Sequence, residues 1–297
     1  MSTGKARLLL FTVIALRATS LLFCTIAMRT LGPVTLNGIR FLLTFALLLV
    51  IFRKELPKIR RGTLVGGAVI GIFFFLTMLF EMIGLQMTNT STTSFLENTA
   101  IIFVPFVQAA LTRKHPGLSA VVSGILALTG VGFLTMKGGH LGFSAGELCC
   151  LATALFYTAT IIATGHYSRK EEPILLGILQ VGVIGILSMI CAFIVEEPVL
   201  PASATEWGSL LFLVVICTGF GFTLQPVAQS RVSTETAGLF CAFNPLITTL
   251  LGFIFLHEQF TRSSLTGAAL ILASIVASAL MDHPRRAGMK RSEAATP

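Results

Sequence analysis

The chain has 297 residues, of which 54% are hydrophobic and only 11% charged, and its mean hydropathy is +0.88. Soluble domains carry about 25% charged residues, so this composition excludes a soluble enzyme, a disordered protein and a nucleic-acid binder. The formal net charge of +8 therefore points to a membrane, and the positions of the basic residues become the test.

A membrane-spanning helix needs about 20 mostly apolar residues. In chain order ten such runs occur, at about 8–28, 33–52, 64–87, 91–112, 118–136, 146–166, 173–194, 208–229, 234–256 and 264–281. The first lacks a small-residue cleavage pattern and reads as a span, not a signal peptide. The connections are short and leave no soluble domain. Residues 282–297 form a polar, basic tail that is expected to be disordered. The expected class is all-α, with ten transmembrane helices.

Lys and Arg placement sets the orientation. With the N-terminus in the cytoplasm, sixteen of the 21 basic residues fall on the cytoplasmic side. Arg29, Lys137 and Arg262 fall outside, and Arg17 and Arg40 lie within spans. Both termini are therefore expected inside, in a multi-pass protein of a bacterial inner membrane. The six cysteines, Cys24, Cys149, Cys150, Cys191, Cys217 and Cys241, sit in apolar runs without CxxC spacing. They read as small buried hydrophobes, and neither a metal site nor a cofactor is expected.

Five spans per half point to duplication, and an odd number makes the copies insert in opposite orientations. Span 2 opens P-V-T-L-N-G-I-R and span 7 opens P-I-L-L-G-I-L-Q, so Arg40 and Gln180 each follow a proline by seven residues. N-T-S-T-T-S-F-L at 89–96 resembles S-T-E-T-A-G-L-F at 233–240, an offset of 144 that also carries Glu81 onto Gln225. The expected halves are residues 1–141 and 142–281.

Three segments carry a family resemblance: P-V-T-L-N-G-I-R-F-L-L at 33–43, A-G-E-L-C-C-L-A-T-A-L-F-Y at 145–157, and T-A-G-L-F-C-A-F-N-P-L-I-T-T-L-L-G-F-I-F-L-H-E at 236–258 with G-A-A-L-I-L-A at 267–273. The chain resembles the EamA-type transporters of the drug/metabolite transporter superfamily over nearly its whole length. The resemblance implies ten helices, two inverted halves and a substrate cavity between them. It also implies a structural or gating role for Arg40 and a structural one for Glu258. The chain departs from the family's pattern at Arg17-Ala18, where a Trp-Gly-like pair is usual, and at Glu97-Asn98, where small or apolar residues are usual.

Ionisable groups at bilayer depth are costly and mark a cavity, a partner or a function. Arg17 lies near the centre of span 1. Glu81 and Glu97 lie eight residues either side of the turn at Asn89, each about 12 Å from it at 1.5 Å per residue. The three can form one midplane cluster of formal charge −1. One reading is an Arg–Glu pair that sets helix register. The other is contact with substrate or a coupling proton, in which the surplus carboxylate accepts a cationic or zwitterionic substrate and Arg17 meets its carboxylate. Asn98, Gln108, Tyr157, Gln180, Gln225 and Asn244 are further polar candidates. Pro105, Pro226 and Pro245 remove backbone hydrogen bonds within spans and permit bending. Gly62, Gly66, Gly67 and Gly71 allow close helix approach, within a monomer before a dimer. Trp207 reads as an interfacial anchor.

The function expected is secondary active transport of a small metabolite, an amino acid, amine or related compound. Export, alternating access and proton coupling complete that expectation. The partners are the lipid bilayer and the substrate, with no nucleic acid, in a monomer or homodimer. An intramembrane enzyme or a channel is the alternative class, but no nucleophile–base pair, P-loop or selectivity filter is present in the sequence.

Overall fold

The computed structural model describes residues 3–113, 117–134, 136–137, 140–141, 143–230, 243–274 and 276–277. Helices α1 (Thr3–Ala27), α2 (Pro33–Ile51) and α3 (Arg61–Met87) are followed by α4 (Thr90–Asn98), α5 (Ala100–Thr112) and α6 (Leu118–Leu134). Then come α7 (Ala145–Tyr167), α8 (Pro173–Val195), α9 (Ala204–Phe212), α10 (Thr223–Gln229) and α11 (Phe243–Leu256). Residues 262–274 are also helical. Among the described residues, seven helical segments are long and apolar enough to cross a bilayer, and Val121–Leu134 and Phe243–Leu256 are shorter apolar helices. The start of the expected ninth span lies in 231–242, and the tail from 282 lies beyond 277, both outside the described residues. A two-residue antiparallel ladder, Met136–Lys137 with His140–Leu141, is a small exception to an otherwise helical fold.

Two expected spans are not continuous α-helices. The fourth breaks at Thr99 into α4 and α5. There the Thr99 N–H and hydroxyl both turn back to the Leu96 carbonyl, at 3.2 and 2.6 Å. The eighth contains a π-helical stretch, Leu213–Phe222, between α9 and α10. Such local rewinding re-aims side chains and is frequent at functional sites. Pro226 follows it and has no N–H for the carbonyl four residues back, that of Phe222. The Gln180 side chain, from α8, donates to that carbonyl at 2.7 Å instead.

Small residues bring the two expected halves together. A Cβ on Gly67 would lie 2.5 Å from Leu179, one on Gly71 would lie 2.6 Å from Val183, and one on Gly84 would lie 2.6 Å from the Cys150 sulfur. The glycine stripe of α3 therefore packs on α8 of the same chain, the intramolecular reading of that motif. Gly38 of α2 meets Met189, and Gly185 of α8 meets the backbone of Leu42. The largest buried cluster draws Phe41, Phe74 and Val104 from before residue 141 and Tyr157, Ile178 and Phe222 from after it. Its counterpart is an outer surface of exposed apolar side chains, among them Ile125, Leu128, Phe193, Ile194, Leu250 and Phe253. Hydrocarbon, not water, is the solvent that suits this surface.

Carboxylates close helix ends across the same seam. Glu196, just past α8, accepts from the backbone N–H groups of Val34 (3.0 Å) and Thr35 (2.8 Å) and from the Thr35 hydroxyl (2.6 Å). Glu258, just past α11, accepts from the Thr90 N–H (2.7 Å) and hydroxyl (2.5 Å) and from the Ser91 N–H (3.3 Å) and hydroxyl. Each carboxylate accepts from orphan N–H donors at a helix N-terminus and meets its positive dipole end. His257, at φ 53° in the left-handed region, is the turn that swings Glu258 back over Gly252 and onto α4.

Candidate functional site

The breaks and the seam converge on Arg17. Its guanidinium donates to the Tyr157 hydroxyl at 3.1 Å and to the Gln225 side-chain oxygen at 3.0 Å. It stands 3.8 Å from the Glu97 carboxylate, beyond ordinary hydrogen-bond length. Three rings surround its central carbon: Phe222 at 4.8 Å, Tyr157 at 5.4 Å and Phe74 at 5.5 Å. Glu97 is the penultimate residue of α4, two before the capping Thr99 at the break, so the discontinuity presents it to α1. Glu81, in the C-terminal third of α3, lines the same small cavity as Glu97.

The structure thus brings Arg17, Glu81 and Glu97 together, and it adds a fourth charge. Arg40 lines the same small cavity, with Ser20, Met78, Phe222 and Asn244 completing the wall. Arg40 is held by the Thr218 hydroxyl, which accepts from its Nε at 2.5 Å, and by the Cys24 sulfur at 3.4 Å. Its guanidinium carbon lies 5.1 Å from the Phe41 ring and 5.9 Å from that of Phe222. The three expected charges sum to −1, and with Arg40 beside them the two arginines and two glutamates make the cluster formally neutral. The cavity measures about 20 Å³, room for about one water. The site is collapsed onto its own side chains in this conformation.

The other candidates separate. Tyr157 and Gln225 touch Arg17, and Asn244 lines the cavity with its Nδ2 at the 3.5 Å limit from the Ser94 hydroxyl. Asn98 donates to the Ser94 carbonyl of its own helix at 2.8 Å. Gln180 is committed to the Phe222 carbonyl. Pro105 lies inside α5, Pro226 inside α10 and Pro245 near the start of α11. Trp207 is partly exposed in the first turns of α9.

Phe74, Phe222 and Thr218 were not singled out in the sequence. With 24 phenylalanines in the chain, no local pattern distinguishes the two that face the Arg17 guanidinium. Thr218 matters because the π-helical stretch turns it to Arg40.

Comparisons with known proteins agree with this architecture. The profile of the EamA-like transporter family matches residues 4–136 and again 144–280. An uncharacterized transporter of Archaeoglobus fulgidus is 28% identical over 256 residues, covering 84% of this chain and 78% of that protein. The uncharacterized transporter YoaV of Bacillus subtilis is 25% identical, covering 84% and 88%. A probable terminal-alkyne amino-acid exporter of Streptantibioticus cattleyicolor is 24% identical, covering 69% and 68%. A crystal structure of a protein 20% identical superposes with a TM-score of 0.69 over 94% of this chain and 97% of that one. The chain is a multi-pass membrane protein and belongs to the EamA-like transporter family, within the drug/metabolite transporter superfamily.

Proposed function

We propose that this transporter is a secondary exporter of a small amine- or amino-acid-like metabolite, working by alternating access between two inverted five-helix halves, residues 1–141 and 142–281. The observation that carries this reading is the cluster of Arg17, Arg40, Glu81 and Glu97. Its members come from α1–α4, and they are held by Tyr157, Thr218, Phe222 and Gln225 from the second half. A charged site across the seam, closed on about 20 Å³, is what an occluded carrier needs. Opening either way must separate groups that now touch. The family profile's two matches support the halves. The distribution of basic residues supports cytoplasmic termini and a bacterial inner membrane. The amino-acid exporter among the relatives supports the substrate class and the direction.

Glu81 and Glu97 line one small cavity, and a proton shared between these neighbouring carboxylates is the natural coupling ion. Substrate entry discharges it, and return of the empty carrier takes it up again. In proteoliposomes, Glu97→Gln and Glu81→Gln each abolish pH-gradient-driven transport while expression and fold persist. Full proton-driven transport by both variants would sink coupling through this pair.

A further inference from the structure

We propose that the cage around Arg17 is the recognition site for the ammonium or guanidinium group of the substrate, with Arg17 as a tethered occupant that the substrate displaces. This rests on the transporter reading and names the chemistry that its central site selects.

Four observations carry it. The first is the company Arg17 keeps. Three aromatic faces within 5.5 Å of one guanidinium carbon form a cation cage, since each ring's negative face attracts positive charge, most strongly where water is excluded. The second is the incomplete ion pair. A guanidinium built to neutralise a buried carboxylate closes to about 2.8 Å in a two-pronged contact. Arg17 instead stops 3.8 Å from Glu97 and spends two hydrogen bonds on neutral oxygens. The third is the chemistry of what is left over. Glu81 and Glu97 line the water-sized cavity, as does Asn244, whose Oδ1 is buried and has no partner among the described residues. All of these accept, so the group that satisfies them donates N–H bonds.

The fourth is access. The Arg17 side chain is 13% exposed against 2% for Glu97, whereas Arg40, held by Thr218, Cys24 and two rings, is 1% exposed. When Arg17 withdraws and the coupling proton is discharged, one arginine and two carboxylates remain, a formal −1 that a single cation neutralises. An anion would raise the imbalance, so the site discriminates by charge sign.

Isothermal calorimetry on the purified full-length protein tests this, with methylguanidinium and ethylammonium chloride as probes and sodium acetate as the anionic control. Arg17→Ala vacates the cage. Arg17→Gln vacates its charge while keeping a donor for Tyr157, which guards against loss of fold. Either variant binds methylguanidinium at least about tenfold tighter than wild type, the equivalent of about 1.4 kcal/mol. Adding Glu97→Gln reverses that gain, and acetate binds none of them better than wild type. Equal or weaker cation binding in the folded Arg17 variants overturns the proposal, as does a gain that survives Glu97→Gln. Transport is judged separately. Wild-type proteoliposomes that move no amine or amino acid above empty vesicles would defeat the transporter reading, whatever the calorimetry shows.

Discussion

Gln180 and Pro226 give the sharpest test of the packing logic. Pro226 cannot donate to the Phe222 carbonyl, and Gln180 does so at 2.7 Å from a fully buried position. Gln180→Leu keeps the volume roughly and strands that carbonyl. An orphaned buried acceptor costs about 1–3 kcal/mol, and polar contacts between membrane helices measure about 0.6–2 kcal/mol. The substitution also removes the Gln180 Oε1, which has no partner among the described residues, and that offsets part of the loss. The expected net cost is about 1 kcal/mol, read from reversible unfolding in mixed micelles. Pro226→Ala restores a backbone N–H, so in that background Gln180→Leu costs at least about half a kcal/mol less, a difference within reach of a double-mutant cycle. The same cost in both backgrounds would refute the assignment, because Gln180 would then not be substituting for the bond that proline removed.

Other expectations follow from the seam between the halves. Glu258→Ala strips the cap from α4 and costs about 1–2 kcal/mol, as lost helix caps do. Amide exchange at Thr90 and Ser91 rises in that variant, and unchanged exchange would show that the capping is incidental. Gly71→Val forces a side chain into Val183 and destabilises the monomer by about 1–3 kcal/mol through overpacking. Light scattering distinguishes this from a homodimer contact, which the same substitution would dissociate without loss of monomer stability. Arg40→Lys, lacking the planar fork that spans Thr218 and the two rings, lowers transport even where the protein remains folded. Wild-type rates in the Arg40→Lys variant would reduce Arg40 to a bystander of the cavity.

Much of this molecule was legible in its sequence because the bilayer constrains the chain so strongly. A spanning helix must satisfy its own backbone hydrogen bonds, so long apolar runs translate almost directly into α1, α2, α3, α7 and α8. The expense of burying charge marked Arg17, Glu81 and Glu97 from the sequence, and the short connection between α3 and α4 put Glu81 and Glu97 at similar depth. Sequence spacing did not show that Arg40 reaches the same cavity and makes the cluster neutral. That depends on α2 packing against α8 through Gly38 and Gly185, and on the π-helical turn that brings Thr218 and Phe222 to it. Nor could spacing distinguish Gln180, a carbonyl's replacement donor, from Gln225, a partner of Arg17, although the two look alike as glutamines in apolar helices. Length and hydrophobicity, which act residue by residue, determined that the chain spans a membrane and where its charges lie in depth. Which charges meet, and which rings face them, is decided by side chains far apart in sequence, and only tertiary packing sets those distances.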